Sequence, residues 1–536
     1  MDALNDLLPR LEQLNQIGAA LSDERDIDRL LENILLAAKA ITHADGGTLY
    51  RVNEDRKSLH FEIVRTDSLG LALGGASGEP MSGRFQDLPL YREDGSPNTS
   101  LVAAYSALKA ETVNIADAYT ASGFDFSGTR KFDEVTGYRS GSFLTVPMKN
   151  HENEIIGVLQ LINAINPDDG SARVFSSADQ RLAESLASQA AVALTNRLLV
   201  NQLEQLFESF IKLINLAIDE KSPYTGGHCQ RVPALTMMLA EAVEITSDGP
   251  LAGFAMSDKD RYELKIAGLL HDCGKVTTPV HVVDKATKLQ TIFDRIRLVD
   301  TRFEVVRRDA EVAMLRAVLA GAERETAELR WRELCSAIDS DRAFLRHVNI
   351  GVEAMSDGDQ ERVRRIAKAY RWLTPEGVAA DFLSADEVEN LTIRTGTLTH
   401  AERETINHHI VATNRMLESL PWPKHLRHVP EYAGGHHERV DGAGYPRGLK
   451  RGEMSIQARI MGIADIFEAL TARDRPYKQG MKLSQALRVL ERFSRDGHID
   501  PDLFEVFVRE RVYLRYGEQF LEAGQVDAVD VTAMGF

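Results

Sequence analysis

The chain has 536 residues, too many for one hydrophobic core, and its 43% apolar and 27% charged composition is that of a globular protein of two or three domains. With 63 basic against 80 acidic residues it carries a formal charge of -17, which argues against broad binding to DNA or RNA polymers but leaves room for a small anion held locally. No run approaches the ~20 apolar residues of a membrane span, and the opening "MDALNDLLPRLEQL" is acidic and amphipathic, unlike a signal peptide. The cysteines Cys229, Cys273 and Cys335 form no disulfide framework and fit a reducing cytoplasm.

In chain order, "ERDIDRLLENILLAAKAI" places Ile27, Leu30, Leu31, Ile34 and Leu35 at helical spacing. "GTLYRV", "SLHFEIV", "SGSFLTVPMK" and "EIIGVLQLINA" read as strands separated by Gly, Asn and Asp. An α+β layer of antiparallel sheet and flanking helices is expected. From Leu182 to Glu220 there is no Gly or Pro, and Leu199, Leu203, Leu206, Phe210, Leu213 and Ala217 alternate spacings of four and three, the seam of a coiled coil that pairs two chains. A second such rhythm runs from Leu289 through Ile292, Ile296, Val299, Phe303 and Val306 to Ala320, and further helices are predicted over "RWRELCSAIDSDRAFLRHV" and "DQERVRRIAKAYRWL". Residues 290–396 are therefore predicted to be a helical, hairpin-like insertion, with His347 as a surface histidine.

Only His43, His60 and His151 precede residue 200, so metal chemistry is expected in the second half. There "LLHDCGK" follows the apolar "IAGLL" and carries His271, Asp272 and Lys275. A buried His–Asp pair is costly unless it is paired or bound to a metal. "GGHCQRV" adds His228 and Arg231, "ETINHHIVATNRML" adds His408 and His409, and "GGHHERVDGAGYP" adds His436 and His437. "ARIMGIADIFEALTARDRPY" sets Asp465 on a helix lined by Ile460, Ile463, Phe467 and Leu470, no place for a merely solvated carboxylate.

Two resemblances organise these observations. "FDEVTGYRSGSFLTVPMKNHENEIIGVLQLIN" (residues 132–163) followed by "FSSADQRLAESLASQAAVAL" resembles a GAF domain, a small-molecule sensing module. "RKFDEVTGYRS" is similar to a segment of cyclic-nucleotide-binding members, which implies a small-molecule or cyclic-nucleotide ligand; the alternative is a scaffold and dimerisation module with an empty pocket. The histidine-rich elements, in order, resemble the HD-GYP branch of the HD phosphohydrolases over about residues 204–515, insertion excluded. That resemblance implies an all-α metal-dependent domain hydrolysing a cyclic dinucleotide, cyclic di-GMP or 3′,3′-cyclic GMP-AMP. It also implies metal ligands at His228, His271, Asp272, His409, His436, His437 and Asp465, with Asp272 bridging two ions. His409 is taken over His408 because it lies eleven residues after Leu398. Asp272 and Lys275 are the implied catalytic residues, Lys275 contacting the scissile phosphate. Arg231, Gly442, Gly444, Tyr445, Pro446, Arg447 and Arg475 are implied on the substrate side.

Imidazole and carboxylate donors without thiolate suit Fe or Mn. A water activated at a two-ion centre would attack phosphorus in line and displace a ribose 3′ oxygen. Two ions rather than three are expected, because some members place a third-metal glutamate where Tyr224 stands. Glu438 and Asp441 are expected to fix the loop. The expected organisation is a multidomain chain: a GAF-like α+β domain (1–181), a connecting coiled-coil helix (182–220), an all-α HD-GYP domain (221–289 and 397–520) and the insertion (290–396), homodimeric through the GAF domain and connecting helix. Two other readings stay open at this point: a non-catalytic cyclic-dinucleotide receptor, and a phosphohydrolase for another nucleotide.

Overall fold

The computed structural model describes residues 12, 14–21, 23–81, 85–221, 227–351, 354–374, 377–473 and 480–532. They divide into two compact units, Met1–Phe207 and Glu208–Phe536.

The first unit is built on an antiparallel sheet of order β3-β2-β1-β7-β6-β5, comprising β1 (Ala44–Val52), β2 (Ser58–Thr66), β3 (Leu71–Gly74), β5 (Val113–Ile115), β6 (Phe143–Lys149) and β7 (Ile155–Ile165). The short β4 (Leu88–Pro89) and β8 (Ala172–Arg173), absent from the sequence reading, pair with β2 and β7. Strands β1 and β7 run side by side in register Thr48↔Gln160 and Leu49↔Leu159. Strand β6 is buried over almost its whole length rather than alternately, because both faces of the sheet are covered. On one face lie α1 (Ile27–Thr42) and the first turns of α4 (Ser177–Lys221), so Leu30, Ile34, Leu186 and Leu194 pack with Leu49, Leu144 and Leu159. Asp26 caps α1 by accepting from the Arg29 amide at 2.9 Å. On the other face α2 (Val102–Lys109) packs Ala103 and Ala107 with Tyr50 and Val158, and Phe126, just before α3 (Ser127–Thr136), packs with Phe143.

Helix α4 is 45 residues long, so it extends roughly 68 Å at 1.5 Å per residue. Its seam changes character along its length. Leu182, Leu186 and Leu194 belong to the sheet's core, whereas Leu199, Leu203, Leu206, Phe210 and Leu213 are exposed.

The second unit is helical. Its elements are α5 (His228–Glu244), α6 (Asp258–Leu270), a 3-10 turn (Cys273–Thr277) and α7 (Val280–Val283). After residues 290–396 come α12 (His400–Glu418), α13 (Val429–Gly434), α14 (Ile456–Thr471), α15 (Leu483–Arg495), α16 (Pro501–Arg509) and α17 (Val512–Phe520). Capping boxes at Ser257/Asp260 and Thr399/Glu402 fix the starts of α6 and α12, the helices that lead to His271 and carry His409.

The intervening segment has a core of its own. Helices α8 (Ile296–Leu319) and α9 (Arg324–Asn349) form the hairpin, followed by α10 (Asp357–Ala369) and α11 (Ala385–Leu391). Phe303, Tyr370 and Phe382 meet at its centre, with ring centroids 4.3 to 5.8 Å apart. Two sequence expectations are corrected here. Helix α8 begins at Ile296, and Ile292, assigned to the apolar seam, is 96% exposed on a bend. "YRWL" does not continue a helix: β9 (Arg371–Leu373) pairs with β10 (Ala379–Asp381), because Trp372 is drawn onto the core beside Phe382 and the strand pairing satisfies the backbone.

Lysines tie this segment at its root. Lys285 bonds Asn390 and the Glu402 carboxylate at 2.7 Å, which joins the segment's neck to the first turn of α12. Lys288, 0% exposed, donates to the carbonyls of Leu391 and Ile393 near the end of α11. Burial pushes its ammonium down to about 8, against a weaker pull from Asp359. Because the folded value lies below the unfolded ~10.4, this group's contribution is fully present above that value and lost as pH falls through 8. Thermal unfolding across pH 8 to 10 is therefore expected to show a rise in stability that the Lys288→Met variant lacks; equal slopes in both proteins would contradict the assignment.

Candidate metal centre

His271 caps the end of α6, Asp272 opens the 3-10 turn that follows, and Lys275 stands within that turn. That turn packs directly on α12, and Gly274 makes the approach possible: a Cβ there would lie 2.0 Å from the His409 carbonyl and 2.5 Å from the Thr413 amide. The Gly274 amide donates to Thr413 Oγ1 at 2.9 Å. Backbone contact between the two segments thus brings Asp272 to His409, although the two are 137 positions apart along the chain.

Three of the imidazoles use one local device. His271, His409 and His436 each face a carbonyl three residues back, those of Gly268, Ile406 and Ala433, with Nδ1 at 2.6 Å. A carbonyl only accepts, so Nδ1 carries the proton and Nε2 presents a bare lone pair. All three Nε2 atoms turn inward. His228, the first residue of α5, is oriented differently: its Nδ1–H donates to Glu468, leaving Nε2 3.1 Å from Asp272 Oδ2 and 3.3 Å from Asp465 Oδ1.

The donor atoms fall into overlapping groups: His228 with His271 and Asp272; His409 with His436 and His437; and His271 with His436 and Asp465, each group within 4.8 Å. Asp272 joins the first two. Its Oδ2 lies 3.3 Å from His271 Nε2, and its Oδ1 lies 3.3 Å from His409 Nε2. Two buried atoms here have no hydrogen-bond partner, Asp272 Oδ1 and His436 Nε2. Orphaned acceptors in a buried site are costly unless a cation completes them, so the residues present fit divalent ions. The neighbouring thiols belong to none of these donor groups, and burial pushes Cys229 up to about 12 and Cys273 up to about 11.

The electrostatics fit a set of metal ligands. Burial opposes the charge on Asp272, but Lys275 and His271 outweigh it and hold the carboxyl well below its usual range. Burial presses His436 well down and His437 down to about 4, so both rings are neutral and ready to ligate. His228 goes the other way: burial would lower it, but Asp272, Asp465 and Glu468 hold it well above the ordinary value. Metal binding there must displace a proton.

Every predicted ligand is in this cluster. His409 faces it, 4% exposed, while His408 points to solvent. Lys275 pairs with Asp272 Oδ2. The loop after His437 folds back on the histidines: Gly444 lies against Glu438 and Arg439, where a Cβ would meet backbone at 2.3 Å. Tyr445 stacks on His437, centroids 4.9 Å apart at 24°, and precedes a cis peptide to Pro446. Glu438 holds the loop by accepting from the amides of Arg447 and Leu449 at 2.7 and 2.9 Å, and Asp441 accepts from the Ala443 amide beside Gly442. Two arginines expected on the substrate side are engaged elsewhere: Arg231 pairs with Glu468, and Arg447 pairs with Glu418. Arg475 and Tyr224 lie outside the described residues.

Glu468 is the functional residue that the sequence reading passed over. It is 1% exposed, one helical turn beyond Asp465, and takes His228 on one oxygen and Arg231 on the other. The available signal was the i, i+3 spacing from Asp465, which puts both carboxylates on one face of α14.

Residues 26–194 match the family model for the GAF domain, and residues 225–340 and 385–503 match two models for the HD domain. The chain combines a GAF domain with a helical HD region. Over 81 residues the chain is 44% identical to a 3'3'-cGAMP-specific phosphodiesterase of Vibrio cholerae, covering 15% of this chain and 19% of that protein. A second Vibrio cholerae 3'3'-cGAMP-specific phosphodiesterase is 36% identical over 151 residues, 28% of this chain and 30% of that one. A cyclic di-GMP phosphodiesterase of Pseudomonas aeruginosa is 43% identical over 74 residues, 14% and 17% of the two chains. The matched segment spans less than a third of each of these relatives.

Because Glu468 orients His228 and fixes its tautomer, Glu468→Gln is expected to weaken metal binding about 10–100-fold. Competition with a chromophoric chelator measures this; wild-type affinity in the variant would reduce Glu468 to a packing role.

Proposed function

We propose that this protein is a metal-dependent phosphodiesterase that opens a cyclic dinucleotide, cyclic di-GMP or 3′,3′-cyclic GMP-AMP, under the control of its GAF domain. The observation that carries the proposal is Asp272. One of its oxygens faces His228 and His271, the other faces His409, and an ammonium group sits beside it. A carboxylate so placed could serve two ions, and Lys275 beside it could meet the phosphate.

His228, His271, His409, His436, His437, Asp272 and Asp465 would hold two divalent ions, Fe or Mn by the all-nitrogen-and-oxygen donor set. When bound, such ions supply an activated water and polarise a phosphoryl oxygen. The protein's own groups do the rest. Lys275, anchored by Asp272, offsets the charge that grows on the phosphoryl oxygens as the ribose 3′ oxygen leaves. The Gly442–Pro446 loop, pinned by Glu438 and by the stacking of Tyr445 on His437, borders the centre and positions the substrate. Arg231 supports His228 through Glu468. The products are a linear dinucleotide and, after a second cut, mononucleotides.

The protein acts as a homodimer through α4, whose exposed Leu203 (64%), Phe210 (55%) and Leu213 (58%) continue a heptad seam that has no core of its own to cover it. Its three free cysteines fit a reducing compartment such as the cytoplasm. No described helix is long and apolar enough to cross a membrane.

Chromatography of cyclic di-GMP and 3′,3′-cyclic GMP-AMP digests with Mn²⁺ or Fe²⁺ is expected to show linear product, and Asp272→Asn to abolish it. Lys275→Met is expected to lower kcat by about 10²–10³-fold with metal content retained. Nucleotide binding without turnover, with the ions demonstrably bound, would instead establish a receptor. Phe210→Arg is expected to shift the chain to monomer in analytical ultracentrifugation; an unchanged sedimentation coefficient would remove the seam from the dimer.

A further inference from the structure

The last turns of α4, from Glu208 onward, belong to the second unit. Their two sides differ. Ile211 and Ile218 are each 2% exposed, whereas Leu213 and Leu216 stay open to water. Glu208 lies 3.5 Å from Lys265 on α6, the helix that leads to His271. The face that carries Glu208, Ile211 and Ile218 runs on, at helical spacing, to Lys221, the final residue of α4. The Lys221 ammonium donates to two carbonyls of the 3-10 turn that holds Lys275, that of Val276 and, at 3.4 Å, that of Lys275 itself.

The bonding of the turn shows why a donor is needed there. The Lys275 amide donates to the Asp272 carbonyl at 2.9 Å, and the Thr278 amide donates to the Lys275 carbonyl at 3.1 Å. The next bond of this series would run from residue 279 to the Val276 carbonyl. Residue 279 is proline and has no N–H to give. Carbonyls at the end of a helical turn form its electronegative end, so a lysine ammonium suits them. A 3-10 turn of five residues, with poorly aligned internal bonds, gains from such an outside support.

The turn is therefore held from two directions. On the side of α12 the Gly274 amide donates to Thr413 Oγ1 at 2.9 Å. On the side of α4 Lys221 takes the carbonyls of residues 275 and 276. His271 and Asp272 lie before Gly274 and take their places from α6 and from that first contact. Lys275 lies between the two contacts, and its own ammonium pairs with Asp272. We infer that Lys221 is a positioning residue for Lys275: it fixes the backbone from which Lys275 reaches Asp272 and the phosphate. The effect on turnover rests on the phosphodiesterase reading; the effect on the turn does not.

Two measurements on the full chain test this separately. By hydrogen exchange and mass spectrometry, the amides of residues 273–278 are expected to exchange about tenfold faster in Lys221→Met than in the wild type, the size expected from losing a hydrogen bond to a charged donor. Peptides that contain His409 and His436 are expected to exchange as before. In turnover of cyclic di-GMP, Lys221→Met is expected to lower kcat about tenfold with KM and metal content retained, as a small misplacement of one group would. Lys221→Arg, which keeps a cationic donor, is expected to restore kcat to within about threefold. In the Lys275→Met background, Lys221→Met is expected to lower kcat no further. Unchanged exchange in Lys221→Met would overturn the inference, as would an equal loss of kcat in both backgrounds. A wild-type chain that binds its ions yet cuts no cyclic dinucleotide would remove the phosphodiesterase reading instead, and the exchange measurement would still decide whether Lys221 holds the turn.

Discussion

Asp272 is nearly inaccessible to water and sits beside two imidazole nitrogens on one oxygen and a third on the other. In a medium of low polarity such a carboxylate needs positive charge on both sides, and one lysine supplies only part of it. The HD half of the chain is organised to tolerate this. Carbonyls three residues back hold the protons of His271, His409 and His436 on the far nitrogen, so that the near one can only accept. Glu468 performs the same task for His228 with a carboxylate, and Arg231 neutralises the charge that this brings in.

The packing around the centre follows from that need. Gly274 lets the turn carrying Lys275 lie on the backbone of α12, and Gly444 lets the loop carrying Tyr445 lie on the backbone of the histidine pair. Side chains at either position would force the ligands apart by more than a hydrogen bond can absorb. The long segment between α7 and α12 is held at its neck by Lys285 on Glu402, the residue that also caps the helix bearing His409. The segment is thereby tied to the helix that carries one of the clustered histidines.

The two halves of the chain solve opposite problems. The cavity of the sheet domain is lined by aromatic faces, and the hydroxyls of Tyr50 and Tyr138 are paired with neighbouring side chains. The metal centre leaves acceptors open and buries them, so its selectivity rests on charge.

Much of this was legible in the sequence. The four long strands and the uninterrupted helix from Leu182 follow from period and breakers, which are local properties of the chain, while the donor residues were singled out by the grouping of His and Asp together with the resemblance to the HD-GYP branch. His409 was distinguished from His408 by an offset, and burial then gives the physical reason: only one of two adjacent residues on α12 faces inward. Other features were not local. Apolar rhythm alone cannot tell that Leu186 meets a sheet while Leu203 meets solvent, or that Ile292 lies on a bend. The partners of Arg231 and Arg447 lie far off along the chain, so their pairing with Glu468 and Glu418 could not be read from the sequence. Sequence by itself determined which residue types were available and how each segment would fold, because periodicity and ligand chemistry are written in neighbouring residues. Only the tertiary structure decided which charges meet, since that depends on contacts between residues far apart in the chain.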